Sequence, residues 1–140
     1  MLPLVAGLFV LVEGLDRTGV VAALAGYLRT YSAASPTQAA AVSGAVLAFA
    51  SNLTNNLPAG LIAASTIAQA QPPRIVVDAL LIGVDLGPNL SITGSLATIL
   101  WLGAIRREGE DVGFLRFLKV GLVTMPPALF LAIGARLIPG

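Results

Sequence analysis

Long uncharged stretches, separated by short polar or charged segments, divide this chain. Four of them stand out, at residues 1–12, 30–73, 86–105 and 120–135. The hydrocarbon core of a bilayer is about 30 Å thick, which roughly 20 helical residues cross. The pattern therefore predicts an all-α integral membrane protein, with residues 1–140 forming a single membrane domain that crosses the bilayer several times.

Composition strengthens this interpretation and excludes several classes of protein. Of the 140 residues, 56% are hydrophobic and only 11% are charged, whereas a soluble domain carries about a quarter charged residues. Eight Lys and Arg against seven Asp and Glu leave a net charge of +1, so we expect no nucleic-acid partner. Cysteine and histidine are both absent, which excludes disulfides, thiol chemistry and the usual zinc ligands. We expect no enzyme activity, no metal site and no cofactor.

The first apolar segments are short. Leu2–Leu15 is short for a full span and starts without a polar flank, so we expect it to belong to a longer helix in a complete protein. A secretory signal peptide is disfavoured because the start lacks a basic region and a clear cleavage site. Val20–Leu28 fits either an interfacial helix or a short buried one.

Residues 36–71 have the pattern of a re-entrant helical hairpin. Ser35-Pro36 is a good helix start, and Gln71-Pro72-Pro73 is a good stop. Between them, Ser51–Pro58 contains six polar or helix-breaking residues in eight. Each arm has about 15 residues, which is shorter than a full span. A single continuous helix over this range would be too long and would carry a proline and several amides through lipid.

A second interruption divides residues 75–105, which we interpret as a broken transmembrane helix. Its apolar halves are separated by Asp85-Leu86-Gly87-Pro88-Asn89. The charged loop Arg106–Asp111 follows, and residues 117–138 form the last transmembrane helix, eased by Pro126-Pro127.

Both interruptions are expected to carry the chemistry. Backbone that is not helical leaves polar groups unsatisfied in lipid, so it occurs at membrane depth only against protein or water. Paired interruptions of this kind form the binding sites of many transporters. We therefore expect the two to face one another at mid-membrane depth, with Asn52 or Thr54 close to residues 85–91.

Polar side chains at these interruptions are the candidate substrate- or ion-binding residues. Their alternative role is to cap the half-helices, and both roles are compatible. The candidates are Asn52, Thr54, Asn55, Asn56, Asn89, Ser91 and Thr93.

Two aspartates lie in the first half of the broken helix. Asp85 ends an apolar half-helix, where a carboxylate is expensive in a membrane and is therefore a functional candidate. Since desolvation raises a carboxyl pKa, protonation of Asp85 suits proton coupling; a structural carboxylate in a wet vestibule is the alternative. Asp78 lies four residues after Arg74, a spacing that favours an ion pair. Glu13 and Arg17 have the same spacing.

Three sequence motifs give the chain a family resemblance. Ser51–Gly60 (SNLTNNLPAG), together with Gly83–Leu90 (GVDLGPNL) and Thr93–Ala97 (TGSLA), resembles the arsenical pump membrane proteins. These are the arsenite and antimonite efflux transporters of bacteria and archaea, members of the ion-transporter superfamily. The resemblance extends from about Phe9 to Arg136. It implies one repeat of an inverted-repeat transporter, in which each repeat has a re-entrant hairpin and a broken helix around the substrate site.

The resemblance also implies substrate, partners and location. The chain is expected to be the C-terminal half of a carrier in the bacterial or archaeal cytoplasmic membrane, in contact with lipid. It would export arsenite or antimonite, and would need an N-terminal repeat or a partner chain. From the position of Asp85 we expect the coupling to be proton antiport through this residue. In this family, an arsenical pump ATPase can bind the carrier and supply additional energy for transport. The alternatives are a sodium–proton or organic-anion carrier of the same superfamily, and a non-transporting membrane subunit.

Overall fold

The computed structural model describes residues 2–139, and this part of the chain is helical without strands. The all-α class predicted from the sequence is confirmed. Two short 3₁₀ segments, Gly87–Leu90 and Ile92–Gly94, separate the fifth and sixth helices. The seven α-helices are α1 (Leu2–Arg17), α2 (Val20–Ala34), α3 (Pro36–Thr54), α4 (Asn56–Ala70), α5 (Arg74–Leu86), α6 (Leu96–Arg107) and α7 (Phe114–Leu137).

Local signals set the outer ends of α3 and α4. The Ser35 hydroxyl accepts a hydrogen bond from the Gln38 N–H at 3.4 Å, and Pro36 occupies the first turn. A proline is tolerated there because the first N–H groups of a helix have no partner within it. At the other end, Gln71 adopts a left-handed conformation with φ of 47°. The predicted start and stop are therefore confirmed.

The first interruption is narrower than the eight residues Ser51–Pro58 that the sequence suggested. Only Asn55 lies outside the helices, since α3 continues to Thr54 and α4 begins at Asn56. The hydroxyls of Ser51 and Thr54 each donate at 2.9 Å to carbonyl oxygens of the preceding turn, so both side chains are satisfied inside the helix. Pro58 lies in the first turn of α4, where its missing N–H leaves no helical hydrogen bond unmade.

The second interruption is longer than the five residues expected. Helix α5 continues to Leu86, which places Asp85 in its last turn, and regular α-helix resumes only at Leu96. Gly87–Leu90 and Ile92–Gly94 form single 3₁₀ turns, and Ser91 between them is extended. The Ser95 hydroxyl caps α6 by accepting from the Ala97 N–H at 3.1 Å.

Helices α3 and α5 pack closely because glycines of each helix lie against the backbone of the other. A Cβ atom on Gly83 would overlap the carbonyl oxygen of Gly44, and one on Gly87 would overlap that of Ala48. Small residues permit this approach between membrane helices. The packing brings the C-terminal half of α3 alongside the second interruption, and so positions the candidate site.

The core consists of two apolar clusters. One joins α2, α3, α4 and α5, and the other joins α3 and α7 to the second interruption. The first contains Ala25, Leu28, Ala39, Ala40, Ala70, Val76, Ala79 and Leu80, and the second contains Ala48, Leu90, Met125, Leu129 and Ile133.

Helix α7 has the properties of a membrane span. It has 24 residues and includes Pro126 and Pro127, as the sequence predicted for the last helix. At about 1.5 Å per residue it is long enough to cross a bilayer. Within residues 2–139 it is the one helix that is both long and apolar enough to do so. Its outward side chains include Phe130 and Leu131, which are 81% and 70% exposed.

Candidate functional site

Asn52 joins the two interruptions. It lies near the end of α3, is buried, and accepts two hydrogen bonds at its Oδ1 from Ser91, one from the backbone N–H at 3.0 Å and one from the hydroxyl at 2.9 Å. These residues are 39 positions apart in the chain. The expected contact between Asn52 and residues 85–91 is therefore confirmed.

The hydrogen bonds at this junction have a defined direction. The Ser91 hydroxyl donates its hydrogen to the Asn52 Oδ1, which can only accept. In the 3.0 Å contact between Ser91 Oγ and Thr93 Oγ1, Thr93 must therefore donate. Thr93 is an exposed residue, and its hydroxyl oxygen keeps lone pairs that can accept. The Asn52 NH₂ group has no hydrogen-bond partner among residues 2–139 and can donate. The junction thus offers a ligand both donors and acceptors.

Asn89 caps the end of α5. Its amide NH₂ donates to the carbonyl oxygens of Asp85 at 3.2 Å and Leu86 at 3.1 Å. The capping role considered for the polar residues applies here. Asn89 is an exposed residue. Because both of its amide hydrogens donate to α5, its Oδ1 remains an acceptor.

The tip of the first interruption is held by hydrogen bonds between its own side chains and neighbouring backbone groups. Asn55 has φ 81° and ψ 145°, and its Oδ1 accepts from the Leu57 N–H at 3.3 Å. Such a backbone conformation is sparsely populated by residues other than glycine and is found at functional sites. The Thr54 hydroxyl donates to the Ala50 carbonyl at 2.9 Å. Asn56, the first residue of α4, is half-buried. The structure does not bring these three side chains to Ser91.

Asp85 lies apart from the junction. Gly83 and Gly87, two residues before and after it, both face α3. Since an α-helix has 3.6 residues per turn, Asp85 lies on the opposite side of α5, where it is exposed. Its backbone oxygen, and not its carboxylate, contacts Asn89.

Asp78 forms an ion pair with each of two arginines. The Arg74 pair expected from the spacing is confirmed at 3.6 Å, and a shorter pair joins Asp78 to Arg136 at 2.6 Å. The Glu13–Arg17 pair is likewise confirmed, at 3.1 Å. Sequence reasoning missed Arg136, whose only signal was a charge at the end of the last apolar stretch. The second ion pair fixes the beginning of α5 to the end of α7.

Comparison with known proteins gives a family match over almost the whole chain. The family described as arsenical pump membrane protein matches residues 2–138. The chain is 29% identical over 133 residues to the arsenical pump membrane protein of Escherichia coli K12, and this alignment covers 92% of the chain and 31% of that protein. The protein of the same name from Yersinia enterocolitica gives the same values.

A third relative is described only as a transporter. An uncharacterized transporter of Mycobacterium tuberculosis H37Rv is 29% identical over 136 residues, covering 91% of the chain and 31% of that protein. The chain thus spans about a third of the length of the curated relatives it matches. No solved structure matches it.

Proposed function

The chain belongs to the arsenical pump membrane protein family, and we propose that it is the C-terminal repeat of a secondary transporter that exports arsenite or antimonite. The carrier lies in the cytoplasmic membrane. In this proposal α3 and α4 are the arms of a re-entrant hairpin, and α5 and α6 are the halves of a broken transmembrane helix. The N-terminal repeat supplies the other half of the site, and an ATPase can associate with the complete carrier.

The hydrogen-bonded junction between Asn52 and Ser91 is the observation that carries this proposal. It joins two interrupted helices through buried side chains. Interrupted helices with freed backbone groups are the usual construction of a transporter site. The Asn52 NH₂ and the Thr93 oxygen are then the groups most directly placed to contact a solute.

The chemistry of these groups suits trivalent arsenic in its neutral hydroxide form. Its hydroxyl groups can both donate to Thr93 and accept from Asn52. The chain contains no cysteine, so this half of the site cannot form a thiolate bond to arsenic. Binding by hydrogen bonds is weak enough to permit release, which a transport site requires. A sodium ion, which needs oxygen ligands only, would make no use of the Asn52 donors.

Asp85 is proposed as the proton-coupling residue. Asp85 is exposed on the side of α5 away from α3, at the end of the apolar stretch formed by residues 79–84. A carboxylate at that position needs water or a protein partner, because lipid cannot satisfy it. The missing repeat would cover this side, and the carboxyl group would gain and lose its proton as the cavity opens to either side.

Arsenite efflux by the complete carrier tests the site. Everted vesicles with matched amounts of protein would be compared for wild type, Asn52→Ala and the control Gln38→Ala, which removes an exposed amide at the start of α3. We expect Asn52→Ala to lose most of the transport while Gln38→Ala keeps it. Equal transport by the two variants would remove the junction from the mechanism. Replacing sodium by choline should have no effect; a loss of transport would favour the sodium-coupled alternative.

Coupling is tested by Asp85→Asn, which keeps the size of the side chain but cannot exchange a proton. We expect this variant to insert normally and to lose efflux driven by an imposed pH gradient. Asp78→Asn is the matched control and should retain the response, since Asp78 is paired with Arg74 and Arg136. Gradient-dependent transport by Asp85→Asn at the wild-type rate would contradict the assignment.

The need for a second repeat has its own test. We expect residues 1–140 alone to insert into membranes without conferring arsenite resistance on a sensitive host. Resistance conferred by this chain alone would show that the missing repeat is not required.

A further inference from the structure

A cleft of about 500 Å³ lies between one face of α7 and the loop that connects α6 to α7. It is distinct from the Asn52–Ser91 junction, but Asn89 of the second interruption lines it. The volume is in the range of small-molecule sites. We call it the α7 cleft. A separate groove along α1, of about 570 Å³, contacts neither interruption.

The α7 cleft extends deep along its helix. Its lining residues on α7 recur with helical spacing and occupy one face: Arg116, Phe117, Val120, Gly121 and Thr124. Thr124 lies ten residues after Phe114, the first residue of α7. Ten residues extend about 15 Å along a helix, which is about half the thickness of a hydrocarbon core. The cleft therefore connects a charged surface loop with the level of the second interruption.

At the inner end of the α7 cleft, two side chains offer only acceptor oxygens, because their hydrogens already donate to backbone carbonyls. Asn89 donates both amide hydrogens to α5, and Thr124 donates its hydroxyl hydrogen to the Val120 carbonyl at 2.9 Å. No donor among residues 2–139 reaches the Asn89 Oδ1. This end can therefore accept hydrogen bonds from water or from a solute with hydroxyl donors.

The outer end is charged and partly aromatic. Asp111 is paired with Arg106 at 2.7 Å, and Glu110 lies beside it in the lining. Trp101 and Phe117 pack with ring centroids 6.4 Å apart on the wall. Charged groups at this end hold water at the mouth of the cleft.

Hydrocarbon is a poor occupant for this cleft. A lipid chain would leave the Asn89 oxygen without a partner, and an unsatisfied polar group in lipid costs several kcal/mol. We propose that the α7 cleft is a water-filled vestibule through which a small neutral solute with hydroxyl donors reaches the second interruption. The solute part of this inference rests on the proposed function; the water-filled part does not.

Cysteine labelling tests the vestibule directly, because this chain has no native cysteine. Thr124→Cys and Val120→Cys would be made in the complete carrier with any cysteines of the other repeat replaced. Val123→Cys is the matched control: it neighbours Thr124 at the same depth, is 73% exposed, and does not line the cleft. A charged, membrane-impermeant methanethiosulfonate would be added to membranes that present either side.

Thiols react as thiolates, which form in water and not in hydrocarbon, so we expect Thr124→Cys and Val120→Cys to react about ten-fold faster than Val123→Cys or more. Rates at the cleft positions equal to that of Val123→Cys would overturn the vestibule. Equal rates at only one of the two positions would also overturn it, since both line the same cleft.

Arsenite efflux measured before and after labelling tests the route, with each variant as its own reference. We expect the bulky label to block most efflux at the cleft positions and little at Val123→Cys. Fast labelling without a loss of efflux would overturn the route. If the unsubstituted carrier moves no arsenite, the proposed function fails, while the labelling rates still decide whether the cleft is aqueous.

Discussion

Gly44→Ala should separate α3 from α5 and disturb the junction without changing any polar group. A Cβ atom on Gly44 would lie 2.7 Å from the backbone oxygen of Ala79 and 2.9 Å from the Ile133 Cδ1. The Ile133 side chain can move, but the Ala79 oxygen belongs to the α5 backbone. Restoring an ordinary contact of 3.4 Å from 2.7 Å requires a displacement of about 0.7 Å.

Three contributions determine the change in stability: one stabilises the variant and two destabilise it. Alanine is favoured over glycine in a helix by about 1 kcal/mol, whereas overpacking costs about 1–3 kcal/mol. A 0.7 Å shift transmitted to Asn52 would lengthen its two hydrogen bonds from 2.9 and 3.0 Å to about 3.6 Å or more, beyond hydrogen-bonding distance. Losing them costs about 1 kcal/mol each. We expect Gly44→Ala to be about 2–4 kcal/mol less stable and to lose transport.

Thermal unfolding in detergent, measured together with arsenite efflux, would check this prediction. Gly103→Ala in α6 is the matched control, because a Cβ atom there meets nothing within 4 Å; it should be stabilised by up to about 1 kcal/mol. The two substitutions are chemically identical and should change stability in opposite directions. A Gly44→Ala variant as stable as Gly103→Ala would refute the close packing of α3 on α5.

Two further substitutions test the tip and the link between α5 and α7. Asn55→Gly should raise the thermal stability, because glycine relieves a backbone strain of about 1–3 kcal/mol and loses only a few tenths of a kcal/mol of capping. Asn55→Ala keeps the strain and loses the cap, so it should lower the stability. A change of the same sign in both variants would contradict the presence of strain at Asn55. For the link, Asp78→Ala and Arg136→Ala should cost less stability together than the sum of the single substitutions, and additive effects in this double-mutant cycle would show that the ion pair contributes nothing.

Much of the secondary structure could be predicted from the sequence. The charge-free stretches are helical, as predicted, and among residues 2–139 one helix, α7, is long and apolar enough to span a membrane. Ser35-Pro36 and Gln71-Pro72-Pro73 marked helix ends through local effects, a side-chain cap and the missing N–H of proline. The Arg74–Asp78 pair followed from helical spacing alone. The helix ends and the ion pair depend on neighbours within a few positions.

The extent of each interruption was decided by satisfaction of hydrogen bonds, which composition does not show. Ser51 and Thr54 look helix-breaking in sequence, yet their hydroxyls bond to the preceding turn and α3 continues past them. Asn55 alone leaves the helix. In the second interruption, Ser91 is held extended by a partner 39 residues away.

Tertiary structure alone decided which polar residues meet. The sequence made Asn52 and Thr54 equal candidates for contact with residues 85–91, but only Asn52 reaches Ser91. That choice depends on the close approach of α3 to α5, where glycines on both helices let backbone contact backbone. The sequence shows which residues are small; only the packed helices show which of them face each other, because that depends on the crossing of two elements distant in the chain.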